Sequence, residues 1–169
     1  MEALNFVITV DPDLQVSDAV LALLYDRLSH LQPVIDQETA VMQQAQQENY
    51  AGEGAAFAGG WAPLAPSTLA QKRRQGYPER TLYRTGKLEA NVGQAVEQTG
   101  DGDFVGATVG IDLSVVPYAA YHQSGTSRMP ARLLVAVTQE EEQEMQGILQ
   151  SFFDDIPDLP SGAVQISLL

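Results

Sequence analysis

Val20, Leu24, Leu28 and Leu31 recur every three or four residues in "SDAVLALLYDRLSHL", the spacing that places apolar side chains on one helix face. Leu21 and Leu23 widen that face, and Ser17 or Asp18 stands where a cap is needed. Before it, "LNFVITV" (residues 4–10) is apolar and β-branched and reads as a strand ended by "DPD". Pro33 either interrupts the helix or opens a second one in its first turn. The following "PVIDQETAVMQQAQQENYA" has few breakers and a thin apolar stripe of Ile35, Met42 and Ala45, so it predicts a helix with a polar surface.

Glycines, prolines and small residues then mark residues 52–66 as a long loop. The loop carries the only tryptophan, Trp61, which is either an aromatic anchor at an interface or a lid on the core. "STLAQKRRQG" predicts a short helix capped by Ser67 and stopped at Gly76. Gly86 separates two apolar and basic pieces in "TLYRTGKLEANV". Val105, Ala107, Val109 and Ile111 alternate on one arm of a hairpin whose turn is "TGDGD". "ARLLVAV" (residues 131–137) reads as a further strand, with Pro130 stiffening the approach to it. In "TQEEEQEMQGILQSFFDDI", Thr138 and Glu141 form a capping box, and Met145, Ile148, Leu149, Phe152 and Ile156 line one face.

These elements predict an α+β fold, a small and mostly antiparallel sheet packed against two or three helices. The expected organisation is one domain over residues 1–156 and an extended C-terminal arm over 157–169. That arm either adds a strand to another copy of the chain or hangs loose.

Composition changes the picture in two ways. The formal net charge is -13, which opposes a dedicated grip on nucleic acid. The charge is also uneven. Residues 1–71 hold nine acids and only Arg27, residues 72–132 hold eight of the nine bases against six acids, and residues 133–169 hold seven acids and no base. A basic middle with acidic flanks suits head-to-tail contact between copies. The N-terminal stretch lacks the layout of a signal peptide, and no apolar run approaches the ~20 residues needed to span a bilayer, so a soluble protein made inside the cell is expected, without membrane partners.

Candidate chemistry is sparse. With no cysteine and only His30 and His122, neither thiolate nor multi-histidine metal sites are expected, and no cofactor is. His30 ends the first helix, where the dipole favours an imidazolium. His122 lies in "YHQSG", two residues before Ser124, and Asp112 is a third triad member by type only. A working triad needs a base aimed at the nucleophile, and G-x-S-x-G is absent, so a hydrolase using His122 with a carboxylate is the weaker reading. No spacing singles out a carboxylate pair, a phosphate loop or a complete calcium loop. "KRRQGYPERTLYRTGK" gathers Lys72, Arg73, Arg74, Arg80, Arg84 and Lys87 with Tyr77 and Tyr83 interleaved. Such a surface can bind a nucleic-acid strand. In a chain this acidic, a basic patch that meets the acidic flank of a neighbouring subunit is favoured.

The order "WAPL" (residues 61–64), Thr68, Lys72, "LYRTGKL" (82–88), "PYAAYHQSG" (117–125), "MPARLL" (129–134) and an acid-rich amphipathic helix resembles the phage virion morphogenesis, or tail completion, family of tailed bacteriophages. The resemblance spans roughly residues 33–156. It implies a non-catalytic α+β subunit of the virion neck, made in the host bacterial cytoplasm and assembled as a homo-oligomeric ring, with a hexamer as the expected form. The ring completes or terminates the tail or joins tail to head; a portal-side connector ring is the structural alternative. Neck, tail-tube, sheath or connector proteins are the expected partners, and packaged DNA passes the lumen without specific binding. Contacts are expected from the basic segment 72–87, from the loop 122–132, and from Trp61, Tyr118, His122, Arg128 and Arg132. Tyr118 and Tyr121, three residues apart, are expected to pack one face of a turn.

Overall fold

A computed structural model describes residues 6–11, 13–100 and 105–168. In chain order its elements are β1 (Phe6–Val10), α1 (Asp18–Ser29), α2 (Gln32–Ala51), α3 (Ala55–Ala58), α4 (Pro66–Gln75), a 3-10 turn (Glu89–Asn91), β2 (Ala95–Gly100), β3 (Val105–Gly110), α5 (Ala119–Ser124), α6 (Gln139–Asp154) and β4 (Val164–Leu168). The fold is α+β. The strands form two separate two-stranded sheets, β1 with β4 and β2 with β3. Two compact units emerge: unit 1 comprises Met1–Glu38, Gln98–Gly106 and Gln139–Leu169, and unit 2 comprises Thr39–Glu97 and Ala107–Thr138.

Unit 1 is built on two amphipathic helices. Ser17 caps α1 by accepting from the Val20 N–H at 3.4 Å, and Val20 and Leu24 turn inward as the sequence predicts. On α6, Met145, Leu149 and Phe153 are buried at intervals of four residues, and Ile156 follows. Phe153, absent from the expected face, is its deepest member; Phe152 is half-buried beneath Arg27, whose guanidinium lies 4.7 Å over the ring and donates to the Phe152 carbonyl at 2.9 Å. That contact satisfies one of the carbonyls left open at a helix C-terminus. Pro33 falls in the first turn of α2, where its missing N–H costs nothing.

The tail finds a partner strand within its own chain. It supplies β4, which pairs antiparallel with β1 of its own chain, Ile8 opposite Ile166 and Thr9 opposite Gln165. Val164 and Ile166 are buried with Val20, Leu24, Val34, Leu149 and Phe153, while Gln165 and Ser167 face solvent. This period of two is what a ribbon with one buried face requires. The N-terminal end of the expected first strand (residues 4 and 5) and most of the expected "TGDGD" turn (101–103) lie outside the described residues.

Unit 2 departs from expectation in two places. The C-terminal half of α2 exposes Gln44, Gln47 and Glu48, as expected of a polar surface, but Gln46 and Asn49 are fully buried beside Tyr50. Residues 131–137 form no strand, and the chain bends at Leu134 and Val135. Their backbone groups are satisfied by side chains in place of a neighbouring strand. Gln123 Oε1 accepts from the Leu134 and Val135 N–H groups at 2.7 and 3.1 Å, and Gln123 Nε2 donates to the Val135 carbonyl at 2.6 Å. Leu133 O accepts from Asn49 Nδ2 and Trp61 Nε1, each at 2.9 Å. Apolar, β-branched sequence reports a half-buried backbone; it does not say what satisfies its polar groups.

Helix α4 begins one residue before the expected cap. Ala65 is the N-cap and Pro66 takes the first turn, so Ser67 lies inside the helix. Gly76 ends it in the left-handed conformation, as anticipated.

Candidate assembly interface

The segments carrying the candidate residues converge in unit 2. Trp61 is 9% exposed and packs with Tyr50, Leu88, Val92, Val116, Ala119 and Leu134. Its ring meets Tyr50 edge-on at 5.5 Å. A Cβ on Gly54 would stand 2.2 Å from the indole, and Gly54 has φ +86°, so only glycine fits beneath Trp61. Arg132 is 6% exposed. Its guanidinium donates to Ala62 O at 3.2 and 3.0 Å and to Pro63 O at 3.5 Å, and its backbone N–H donates to His122 O at 2.7 Å. Burial lowers its pKa from the ordinary arginine value. "WAPL" and "MPARLL" are therefore two halves of one clasp.

The basic segment is organised from inside. Lys72 Nζ donates to the carbonyls of Pro78 at 3.0 Å and Arg80 at 2.7 Å, and to that of Tyr83. Burial lowers its pKa. Tyr50 Oη donates to Leu82 O at 3.0 Å, and Glu53 Oε1 accepts from the Thr81 N–H at 3.3 Å. These anchors hold Leu82 at φ +57°, a left-handed conformation that a leucine rarely adopts. Burial, then the nearby Glu89 carboxylate, pushes the Tyr50 phenol up to about 12, so it remains a donor.

The outer charges then sort themselves. Arg73 forms a two-pronged pair with Glu79 at 2.7 and 2.8 Å. Arg80 pairs with Glu89 at 3.2 Å and lies over Tyr83 at 5.2 Å, while Arg84 stacks on Tyr77 at 4.7 Å. Arg74, Arg84, Lys87 and Arg128 are exposed, and none forms an ion pair among the described residues.

In "YHQSG" the side chain that does most is Gln123, which the sequence did not single out. Gly125 sits at φ +71°, and a Cβ there would lie 2.7 Å from the Ala131 nitrogen, so glycine lets the chain fold back at the Thr126–Met129 bridge. The His122 Nδ1 is buried and has no hydrogen-bond partner among the described residues. Burial, and the Arg132 charge beside it, lower its pKa and favour neutral imidazole. No carboxylate pairs with His122 among the described residues, and Asp112 instead accepts from the Ser114 N–H at 2.7 Å. Tyr118 meets the His122 ring edge-on at 6.1 Å within this turn, and Tyr118 and Tyr121 are 41% and 63% exposed.

A sequence model of the phage virion morphogenesis family matches residues 12–154. The chain belongs to the phage virion morphogenesis family. No curated protein and no solved structure matches it significantly. Membership gives the chain a structural or assembly role in a phage virion. Clasp and carbonyl cage spend their polar groups inside unit 2, while Arg74, Arg84, Lys87 and Arg128 stay exposed. Among the described residues no three His, Asp or Glu side chains gather as a metal site, and no helix is long and apolar enough to cross a membrane.

Proposed function

We propose that this chain is a ring-forming subunit of the virion neck that completes the tail and joins it to the head. The observation that carries this reading is the division of charge. By sequence, unit 1 holds sixteen acids and one base, a formal charge of -15, whereas unit 2 holds six acids and eight bases, +2. The one base of unit 1, Arg27, is engaged with Phe152. Closed rings with head-to-tail contacts need two different, complementary patches on each copy. Arg74, Arg84, Lys87 and Arg128 of unit 2 supply one patch. The exposed Glu140 and Glu144 of α6, one helical turn apart, supply the other on the next copy. Trp61, Lys72, Arg73, Arg80, His122 and Arg132 serve this surface by fixing it from behind, and Tyr118 and Tyr121 add apolar area beside it. Acidic surface turned to the lumen repels packaged DNA and lets it pass.

Removing the gene tests the role. Filled heads and separate tails that fail to join are expected, and adding back the purified protein restores infectious particles. Normal virions formed without the protein would contradict it. Recovery of the ring with tail tubes supports the tail station, and recovery with portals moves it to the portal side.

A further inference from the structure

We propose that the free edge of β1 is a docking site for an extended, basic strand of another polypeptide. The hydrogen-bond alternation of the ribbon carries the argument. The Asp11 N–H donates to Ala163 O at 2.9 Å, so Thr9 with Gln165, and Val7 with Ser167, are the pairs that exchange bonds. Ile8 and Val10, opposite Ile166 and Val164, therefore turn their backbone N–H and C=O groups away from β4. By the same alternation Ile166 turns its carbonyl away from β1, and there Gln146 Nε2 of α6 donates to it at 3.0 Å. On the outer edge of β4 the Ile166 carbonyl is thus already taken by a side chain. Among the described residues no hydrogen bond reaches the outward groups of Ile8 or Val10. Exposed edges are usually blunted by lysine, proline or a bulge, and "FVITV" contains no lysine and no proline.

Charge selects the occupant. Asp11 and Asp13 are exposed immediately after the strand, and unit 1 as a whole carries -15 with its single base engaged. A second copy pairing β1 with β1 would bring two such fields together, which like-charge repulsion opposes. An incoming strand bearing Lys or Arg gains main-chain bonds from Ile8 and Val10 and charge pairing from the aspartates.

Amide hydrogen exchange of the full chain with synthetic peptides tests the proposal. The peptide Lys-Val-Thr-Val-Thr-Val-Lys at saturation is expected to slow exchange at Ile8 and Val10 roughly tenfold, leaving Val7 and Thr9 unchanged because β4 already holds them. Added salt should weaken the effect, and a peptide with glutamates at both ends should not produce it. No slowing at Ile8 and Val10, or equal slowing by the acidic peptide, overturns the proposal. Slowing that grows with protein concentration in the absence of peptide assigns the edge to a second copy and overturns it too.

Discussion

Trp61 and Leu133, 72 residues apart in the chain, are joined by a 2.9 Å hydrogen bond from the indole N–H to the carbonyl. The next residue back, Arg132, reaches the Ala62 carbonyl beside Trp61. Two motifs that mark the family in the sequence are thus a single physical contact. Trp61→Phe keeps one six-membered ring but loses the donor and the fused pyrrole; with Asn49 still bonded to Leu133 O, it should cost about 1–3 kcal/mol. Trp61→Ala empties a core position and should cost about 3–5 kcal/mol. Denaturant unfolding of both variants checks the order.

Gln123 stands in for a missing strand, bonding to Leu134 and Val135 on three counts. Gln123→Leu conserves bulk and leaves those groups without partners, at about 1–3 kcal/mol for each one that remains buried. Amide exchange at residues 134 and 135 should accelerate in this variant well beyond that at the β1–β4 ribbon of unit 1. Uniform acceleration in both places would mean the side chain matters only to global stability.

Glycines at two positions should respond with opposite signs. Gly54→Ala forces a methyl into the Trp61 ring in a left-handed backbone, and about 1–3 kcal/mol or more should be lost. Gly147 lies mid-helix in α6, and a methyl on its Cα would meet nothing within 4 Å, so Gly147→Ala should gain about 0.5–1 kcal/mol. Thermal melts of the pair give the comparison directly.

Glu38 sets a pH dependence. Its Oε1 is buried without a hydrogen-bond partner, and burial pushes its pKa up to about 7 from the ordinary 4.5. Between those values the folded chain keeps a proton that the unfolded chain releases. Stability therefore falls as pH rises through this window and levels off above it. His122, lowered by burial and by Arg132, gives the opposite slope as pH falls through its ordinary 6.5. The difference between wild type and Glu38→Gln isolates the glutamate: the variant should be the more stable of the two above pH 7, with the gap closing below 4.5. Denaturant midpoints across this range measure it.

The helices α1 and α6 were legible because each divides water from core along one face, and the spacing of Val20 and Leu24, or of Met145 and Leu149, records that division locally. The tail was legible as alternating, though not its destination on β1. What escaped the sequence was polar and long-range. Gln46, Asn49 and Gln123 look like surface residues until their partners Val109, Leu133 and Leu134 arrive from elsewhere in the chain. Lys72 reads as a surface cation for the same reason, since no local pattern announces a cage of carbonyls. Of the basic segment, its existence was plain and its division into anchored and free charges was not.

A charge-exchange experiment reads the proposed charge-matched seam between copies directly. Native mass spectrometry would compare the wild type, Arg74→Glu with Lys87→Glu, Glu140→Lys with Glu144→Lys, and the chain carrying all four changes. A closed oligomer is expected for the wild type, its loss in either double variant, and its return in the fourfold variant, where each patch again faces its opposite. Closed oligomers that form equally in both double variants, or that fail to return in the fourfold one, would contradict the seam.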